Sequence, residues 1–272
     1  LGYGEAPSGH AQWTSDRDVK DFKQQTLVSL SEAPSLEKVA ELGEYRNGSM
    51  SDGASTFKLA TFGKILSISR QALINDDLAS FTTLPASMGA AARRLEADMV
   101  YEQLTSNPVL ADGFALFSAQ HGNLGTAAAL TVANLGLARA AMRKQKGIAG
   151  VSYLDPQPKF LVVPVALETT AEQLLASLVD PSRSNQTPNS EFIRGLTLIA
   201  DPRLDVNSAT AWYLAASPKQ VETILRAYLA GQPRPYLEEN TEFRVDSINW
   251  KVRLDFAAGV MDFRGLYKNP GA

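Results

Sequence analysis

The stretch Phe57-Lys58-Leu59-Ala60-Thr61-Phe62-Gly63-Lys64-Ile65-Leu66-Ser67-Ile68 decides how the rest of the chain is read. Aromatic and β-branched residues stand among small and polar ones, as in a β-strand. Gly63 breaks the alternation, which predicts a bulge or a bend. Just upstream, Asn47-Gly48 and Asp52-Gly53 are turn dipeptides that tolerate positive φ. Glu44–Met50 and the Phe57 run are therefore expected to form an extended hairpin. A two-stranded hairpin is marginal by itself in water. This one is expected to need support from another chain.

Further along, Thr82-Thr83-Leu84-Pro85 places a proline in the first turn of a helix, where its missing N–H costs nothing. Leu84, Met88, Ala91, Leu95, Met99 and Leu104 then recur at near-helical spacing, which predicts a helix to about Thr105, ended by Asn107-Pro108. At 1.5 Å per residue it is about 30 Å long, enough for a strut across a domain. Gly113 to Asn123 reads as loop. A second helix is expected from Ala133 to Lys146, stopped by Gly147. Lys159–Val163 reads as a strand and Thr170–Leu178 as a helix. Leu196–Ala200 and Trp212–Ala215 read as strands flanking a turn at Asp201-Pro202, and a short helix is expected near Lys219–Tyr228.

Near the end, Ile248, Trp250, Val252, Leu254 and Phe256 alternate with Asn249, Lys251, Arg253 and Asp255. That period of two predicts a long strand with one buried face. Helices and strands segregate rather than alternate, which gives an α+β class. Residues 1–36 hold few apolar side chains and the breaks Pro7-Ser8-Gly9 and Pro34-Ser35, so they are expected to form an arm that cannot offset its own ordering entropy.

The chemistry-bearing residues are few. The 272 residues carry 26 Lys and Arg against 29 Asp and Glu, a net charge of −3 that lacks the basic excess of a broad nucleic-acid-binding face. Any DNA contact has to be local. Cysteine is absent, which excludes disulfides, thiolate metal sites and Cys nucleophiles. No apolar run approaches the roughly 20 residues of a membrane-spanning helix. The two histidines are His10, in the expected arm, and His121, three residues after Ser118. Ser118 and His121 could be read as a hydrolase pair, but such pairs are matched by geometry rather than spacing, and a loop histidine bonded to backbone is favoured. Asp76-Asp77, ahead of the long helix, suits a capping role better than a metal site. Arg139, Arg143, Lys144 and Lys146 read either as a local phosphate-contacting patch or as a solvated helix end, and the second is favoured. No catalytic residue, cofactor or metal is expected.

Several long segments carry a resemblance. Leu59 through Leu78 resembles the Mu-like prophage major head subunit family, and Leu30-Ser31-Glu32-Ala33-Pro34 through Gly43-Glu44-Tyr45 is similar to the same family upstream. Leu104–Asn107, Asp112-Gly113, Ala115–Phe117 and His121–Leu124 continue the likeness, as do Val252–Val260 and Asp262–Tyr267 near the end. The resemblance implies the HK97-like tailed-phage capsid fold. On it, residues 1–36 are the N-terminal arm, 37–76 the extended hairpin loop, 77–124 a peripheral domain with a long spine helix, 125–240 an axial domain, and 241–272 a return strand and tail. It also implies a major capsid protein that self-assembles into pentamers and hexamers of a shell around double-stranded DNA, placed in the virion and assembled in the host cytoplasm. Further partners so implied are a cementing protein, a portal and a maturation protease, with packaged DNA touched non-specifically on the inner face. A maturation cut is one origin for a sequence starting at Leu1, and a shortened start is the other. Some members cross-link through Lys and Asn; Lys58 and Lys64 lie in the right region but have no identified acceptor. The candidate contacts between copies are Phe57, Leu59 and Phe62 as anchors, with Arg93 and Arg94 as ion-pair donors.

Overall fold

The computed structural model describes residues 2–4, 6, 9–30, 52–75, 83–148, 150, 152–177, 190–242 and 247–272. The elements in chain order are α1 (His10–Trp13), β1 (Ser15–Val19), β2 (Gln25–Leu30), β3 (Asp52–Phe57), β4 (Ala60–Ser69), α2 (Arg70–Ile74), α3 (Leu84–Thr105) and α4 (Val132–Arg143). There follow β5 (Pro158–Val163), α5 (Glu168–Ala176), α6 (Glu191–Arg194), β6 (Thr197–Ala200), α7 (Pro202–Asn207), β7 (Trp212–Ala216), β8 (Ile224–Leu229), β9 (Tyr236–Glu242), β10 (Ser247–Val260) and β11 (Leu266–Asn269). The chain divides into two units. The first holds Leu1–Gln25, Phe57–Leu104 and Leu225–Gly259; the second holds Thr26–Thr56, Thr105–Ile224 and Val260–Ala272. The expected hairpin limb Glu44–Met50 and the pair Asp76-Asp77 lie outside the described residues.

The first unit is built on a sheet of order β1-β8-β10-β4, with β9 also paired to β10. The period of two in Ile248–Phe256 does become a long strand. β10 pairs antiparallel with β4 from Ser247↔Ser69 to Phe256↔Ala60 without a break. Gly63 is therefore no bulge. It sits opposite Arg253, where an added Cβ would stand 2.9 Å from the Val252 carbonyl oxygen, so glycine is needed for a close strand approach. The helix expected near Lys219–Tyr228 is also overturned. Ile224 to Tyr228 are buried on both faces and belong to β8, which lies between β1 and β10. A short apolar run cannot be told from a helix by periodicity alone, and the two flanking strands decide it.

The helix α3 runs as the spacing predicts and stops at Asn107, which takes a left-handed φ of 49° ahead of Pro108. Its buried face is Gly89, Ala92, Glu96, Ala97, Val100, Tyr101 and Leu104. Of the apolar stripe read from the sequence, Leu104 lies on this face, but Ala91 is exposed, and Leu84, Met88, Leu95 and Met99 are half-buried. A carboxylate, Glu96, occupies the centre of the true face, so a purely apolar pattern misses it.

The N-terminal residues differ most from expectation. Instead of an arm without a core, His10 and Trp13 are buried, and Trp13 stands 6.1 Å from Tyr101, centroid to centroid. β1 then pairs parallel with β8, from Ser15↔Leu225 to Val19↔Leu229. Gly2, at φ +72°, approaches α3 so closely that a Cβ would overlap the Ala86 carbonyl. Two large rings and one strand, rather than a long apolar run, supply the burial.

The second unit carries a sheet of order β11-β7-β5-β6, and β2 and β3 pair as a separate two-stranded sheet. β5 is parallel to β6 and antiparallel to β7. The runs Phe160–Val163 and Trp212–Ala216 are buried throughout, as central strands covered on both faces must be. Leu135, Ala138 and Met142 of α4 join Ala171 and Leu174 of α5, Leu161, Val163, Trp212 and Leu214 in one core. Thr131 caps α4 by accepting from the Asn134 N–H, and Asp201 caps α7 by accepting from Arg203 N–H. Asp201-Pro202 is thus the start of a helix as well as a turn.

Gly63→Val should lower the unfolding free energy by about 1–3 kcal/mol, because the branched side chain must push β4 off β10. Urea denaturation followed by tryptophan fluorescence measures it, and an unchanged midpoint would contradict the close-approach account.

Candidate assembly interface

β4 ends its sheet. Among the described residues its outer row of N–H and C=O groups faces no strand, and such a row is a template for another chain. Ten residues long, it shows Ile65 at 61% and Leu66 at 37% exposure, with Lys64 as its one charge. β9, the other partner of this part of β10, shows Tyr236 and Leu237 to solvent, and an ion pair joins Glu238 to Lys251.

The predicted anchors divide. Leu59 is buried with Val19, Ala227 and Ala257, and Phe57 packs half-buried on the same cluster. Leu59 is therefore part of its own unit's core. Phe62 is half-buried and lies opposite Leu254 on β10. The exposed large apolar residues of β4 are Ile65 and Leu66, which alternation alone did not single out. Arg94 is exposed. Arg93 faces inward instead: its Nη1 donates to Glu96 Oε2 at 2.8 Å and to the Tyr3 hydroxyl at 3.1 Å.

That contact belongs to a buried polar cluster in the first unit. Glu96 is fully buried and accepts from Tyr3 Oη at 2.5 Å. His10 Nε2 stands 3.8 Å from Glu96 Oε2, too far for a hydrogen bond. Burial pushes the Glu96 carboxyl up, but the His10, Tyr3 and Arg93 side chains outweigh it and hold the group below the usual range. Burial, then Glu96, pushes the Tyr3 phenol far up. From the sheet side, Arg226 Nε donates to Thr14 Oγ1 at 2.8 Å, and that hydroxyl donates to the His10 carbonyl at 2.7 Å. Nothing in the local sequence marks this cluster, since its members are 3, 10, 14, 93, 96 and 226 in the numbering.

A cavity of about 590 Å³ lies beside it in the same unit, lined by Tyr3, Pro85, Gly89, Arg93, Arg234 and Leu237 among others.

In the second unit His121 and Ser118 do not form a nucleophile–base pair. Ser118 Oγ accepts the His121 backbone N–H at 3.2 Å. The ring nitrogens are taken elsewhere: Nδ1 lies 3.1 Å from the Leu116 carbonyl and Nε2 2.7 Å from Asp112 Oδ2. The ring also stacks on Phe263 at 3.7 Å. Asn123 ties the same loop together, accepting from Ser118 N–H and donating to the Leu116 carbonyl. His121 is a loop-folding residue. The basic group on and just after α4 is engaged locally too: Arg139 lies over Phe192, Arg143 bonds Asp155 and Lys146 lies over Tyr153. Lys144 is exposed. Among the described residues no cluster of His, Asp and Glu could hold a metal ion, and no helix is long and apolar enough to cross a membrane.

Comparison with known proteins places this architecture. A family model described as phage capsid protein matches residues 53–269. No curated protein matches the chain at a significant level. Among solved structures, a chain of Microbacterium phage Oxtober96 is similar at 10% identity and TM-score 0.65, covering 98% of this chain and 92% of that one. The capsid of a native GTA particle is similar at 13% identity and TM-score 0.63, covering 97% and 90%. The holo-SrpI encapsulin complex from Synechococcus elongatus is similar at 11% identity and TM-score 0.61, covering 96% and 86%. At such identities the likeness is one of fold, the HK97-like α+β fold of phage capsids.

His121→Ala removes a buried ring bonded at both nitrogens and should lower stability by about 1–3 kcal/mol. It should leave any background esterase turnover of the preparation unchanged. A loss of turnover that tracks the substitution would restore the hydrolase reading.

Proposed function

The chain belongs to the phage capsid protein family, and from that premise we propose that it is the major shell subunit of a tailed bacteriophage. Its role is structural rather than enzymatic. Copies associate as pentamers and hexamers and close into an icosahedral head around double-stranded DNA, so that its place is the virion and its assembly site the host cytoplasm. The observation that carries this reading is the match across residues 53–269. The physical support is β4, a strand long enough for ten ladder positions, weakly charged and, among the described residues, unpaired on its outer edge. The finer assignment, to the Mu-like prophage head subunits, rests on Leu59–Leu78 and the tail segments that resemble them. A cementing protein, a portal and a maturation protease are further partners on this reading.

Within that proposal Ile65, Leu66, Phe62 and Phe57 are the contacts offered to a second copy, with Arg94 as the charge on α3. A nearly repeated heterologous contact closes into rings and shells when its rotation fits, and forms filaments when it does not. The likeness to an encapsulin gives a second reading, a protein compartment of the same fold. Its particles would lack nucleic acid, whereas a phage head isolated from lysate contains it.

Two substitutions separate assembly from folding. Ile65→Lys, on an exposed position, should change the stability of the free subunit by no more than about 0.5 kcal/mol. It should nevertheless abolish closed particles in electron micrographs and shift sedimentation to small oligomers. Leu59→Ala should cost about 2–5 kcal/mol in the free subunit, as for a buried leucine. Wild-type chain that stays a stable monomer at assembly concentrations would overturn the shell reading outright.

A further inference from the structure

The geometry points to a proton-operated latch in the first unit: protonation of His10 releases α1 and β1, residues 10–19, from α3 and β8. His10 is 1% exposed, and among the described residues its Nε2 has no hydrogen-bond partner. The groups that face it are Glu96 and Arg93 on α3, Arg226 and Tyr228 on β8, Tyr3 near the start of the chain, and Thr14 in its own turn. Charge counting within this set is decisive. One carboxylate, Glu96, is bonded by the Arg93 guanidinium, and a second guanidinium, Arg226, acts on the imidazole from β8. Arg93 and Tyr3 occupy its two oxygens at hydrogen-bond distance. A protonated imidazole would add a third cation beside that buried anion, and among the described residues no acceptor lies within hydrogen-bond reach of Nε2. Burial, Arg93 and Arg226 together hold the His10 ring below the ordinary histidine value of 6.5, against the pull of Glu96.

The sign follows. A histidine whose folded value is depressed contributes stability that is complete above 6.5 and is lost as pH falls below it. Glu96 acts in the same direction but only below the ordinary carboxylate value of 4.5, so pH 5.5 separates His10 from Glu96. The elements at risk are those His10 anchors. Thr14 connects its carbonyl to Arg226, and β1 begins one residue later, at the free end of the sheet. When β1 leaves, the outer edge of β8 is uncovered, and an uncovered edge accepts a strand from elsewhere. Mild acid would thus change what the first unit can bind.

Hydrogen exchange of the full chain at pH 7.5 and 5.5, corrected for intrinsic rates, tests the latch. Protection of the β1 amides should fall roughly fivefold to tenfold at pH 5.5, the limit set by one pH unit below the ordinary histidine value. The β5 and β7 amides should hold theirs. His10→Gln keeps a polar side chain that does not titrate, and should abolish the fall. The wild-type comparison of β1 with β5 and β7 stands even if that variant folds poorly. Equal change in all three strands, no change in β1, or an undiminished fall in H10Q would each overturn the latch.

Discussion

The first unit depends on β10. Fourteen residues long, this strand holds β4 along one edge from Ser247 to Phe256, and β9 along the other from Ser247 to Arg253. Trp250, Leu254 and Phe256 lie on its buried face. Its opposite face carries the half-buried Asn249, Lys251 and Arg253, then turns inward at Asp255, 5% exposed, and Ala257. The Thr61 hydroxyl, directly across the ladder, donates to that carboxylate at 2.6 Å and makes the burial tolerable. One cross-strand pair thus fixes the register, because a shift by a single residue would bring Ala60 or Phe62 opposite the acid and turn every apolar side chain outward.

Glu96 imposes the second constraint. A buried carboxylate on a spine helix is a poor source of net stability, since desolvation of the charges offsets most of their attraction. Its effect is geometric. Tyr3 and Arg93 satisfy its two oxygens, so Tyr3 is held in one position on α3. An apolar residue at 96 would allow several.

These two constraints explain what the sequence revealed and what it hid. The helix 84–105, the strand 248–256 and the apolar strands at 160–163 and 212–215 were legible, because each is a repeat measured along the chain. The α+β class followed from their order. β8 was misread because Ile224–Leu229 is short and buried on both faces, a pattern shared by helix and strand. The arm was misread because its burial comes from two rings, His10 and Trp13, whose partners lie about ninety positions away on α3. Of the contact candidates, Leu59 and Arg93 turned inward for the same reason. Residue type suggested a surface role, and only the distant partners Ala257 and Glu96 decide otherwise.

The exposed edge of β4 raises a physical problem of its own. An edge of ten residues with Ile65 and Leu66 open to water also invites indefinite strand addition, the start of fibres. Two features of the strand oppose that. Lys64 places a cation in the middle of the edge, where a second copy in antiparallel register would set like charges together. Gly63 beside it lowers the intrinsic strand preference of an isolated copy. The edge is therefore suited to a partner that presents something other than itself, which is a heterologous contact, and heterologous contacts are the kind that can propagate around a ring and close. A strand so arranged resists self-stacking while remaining available to a different surface of the next copy.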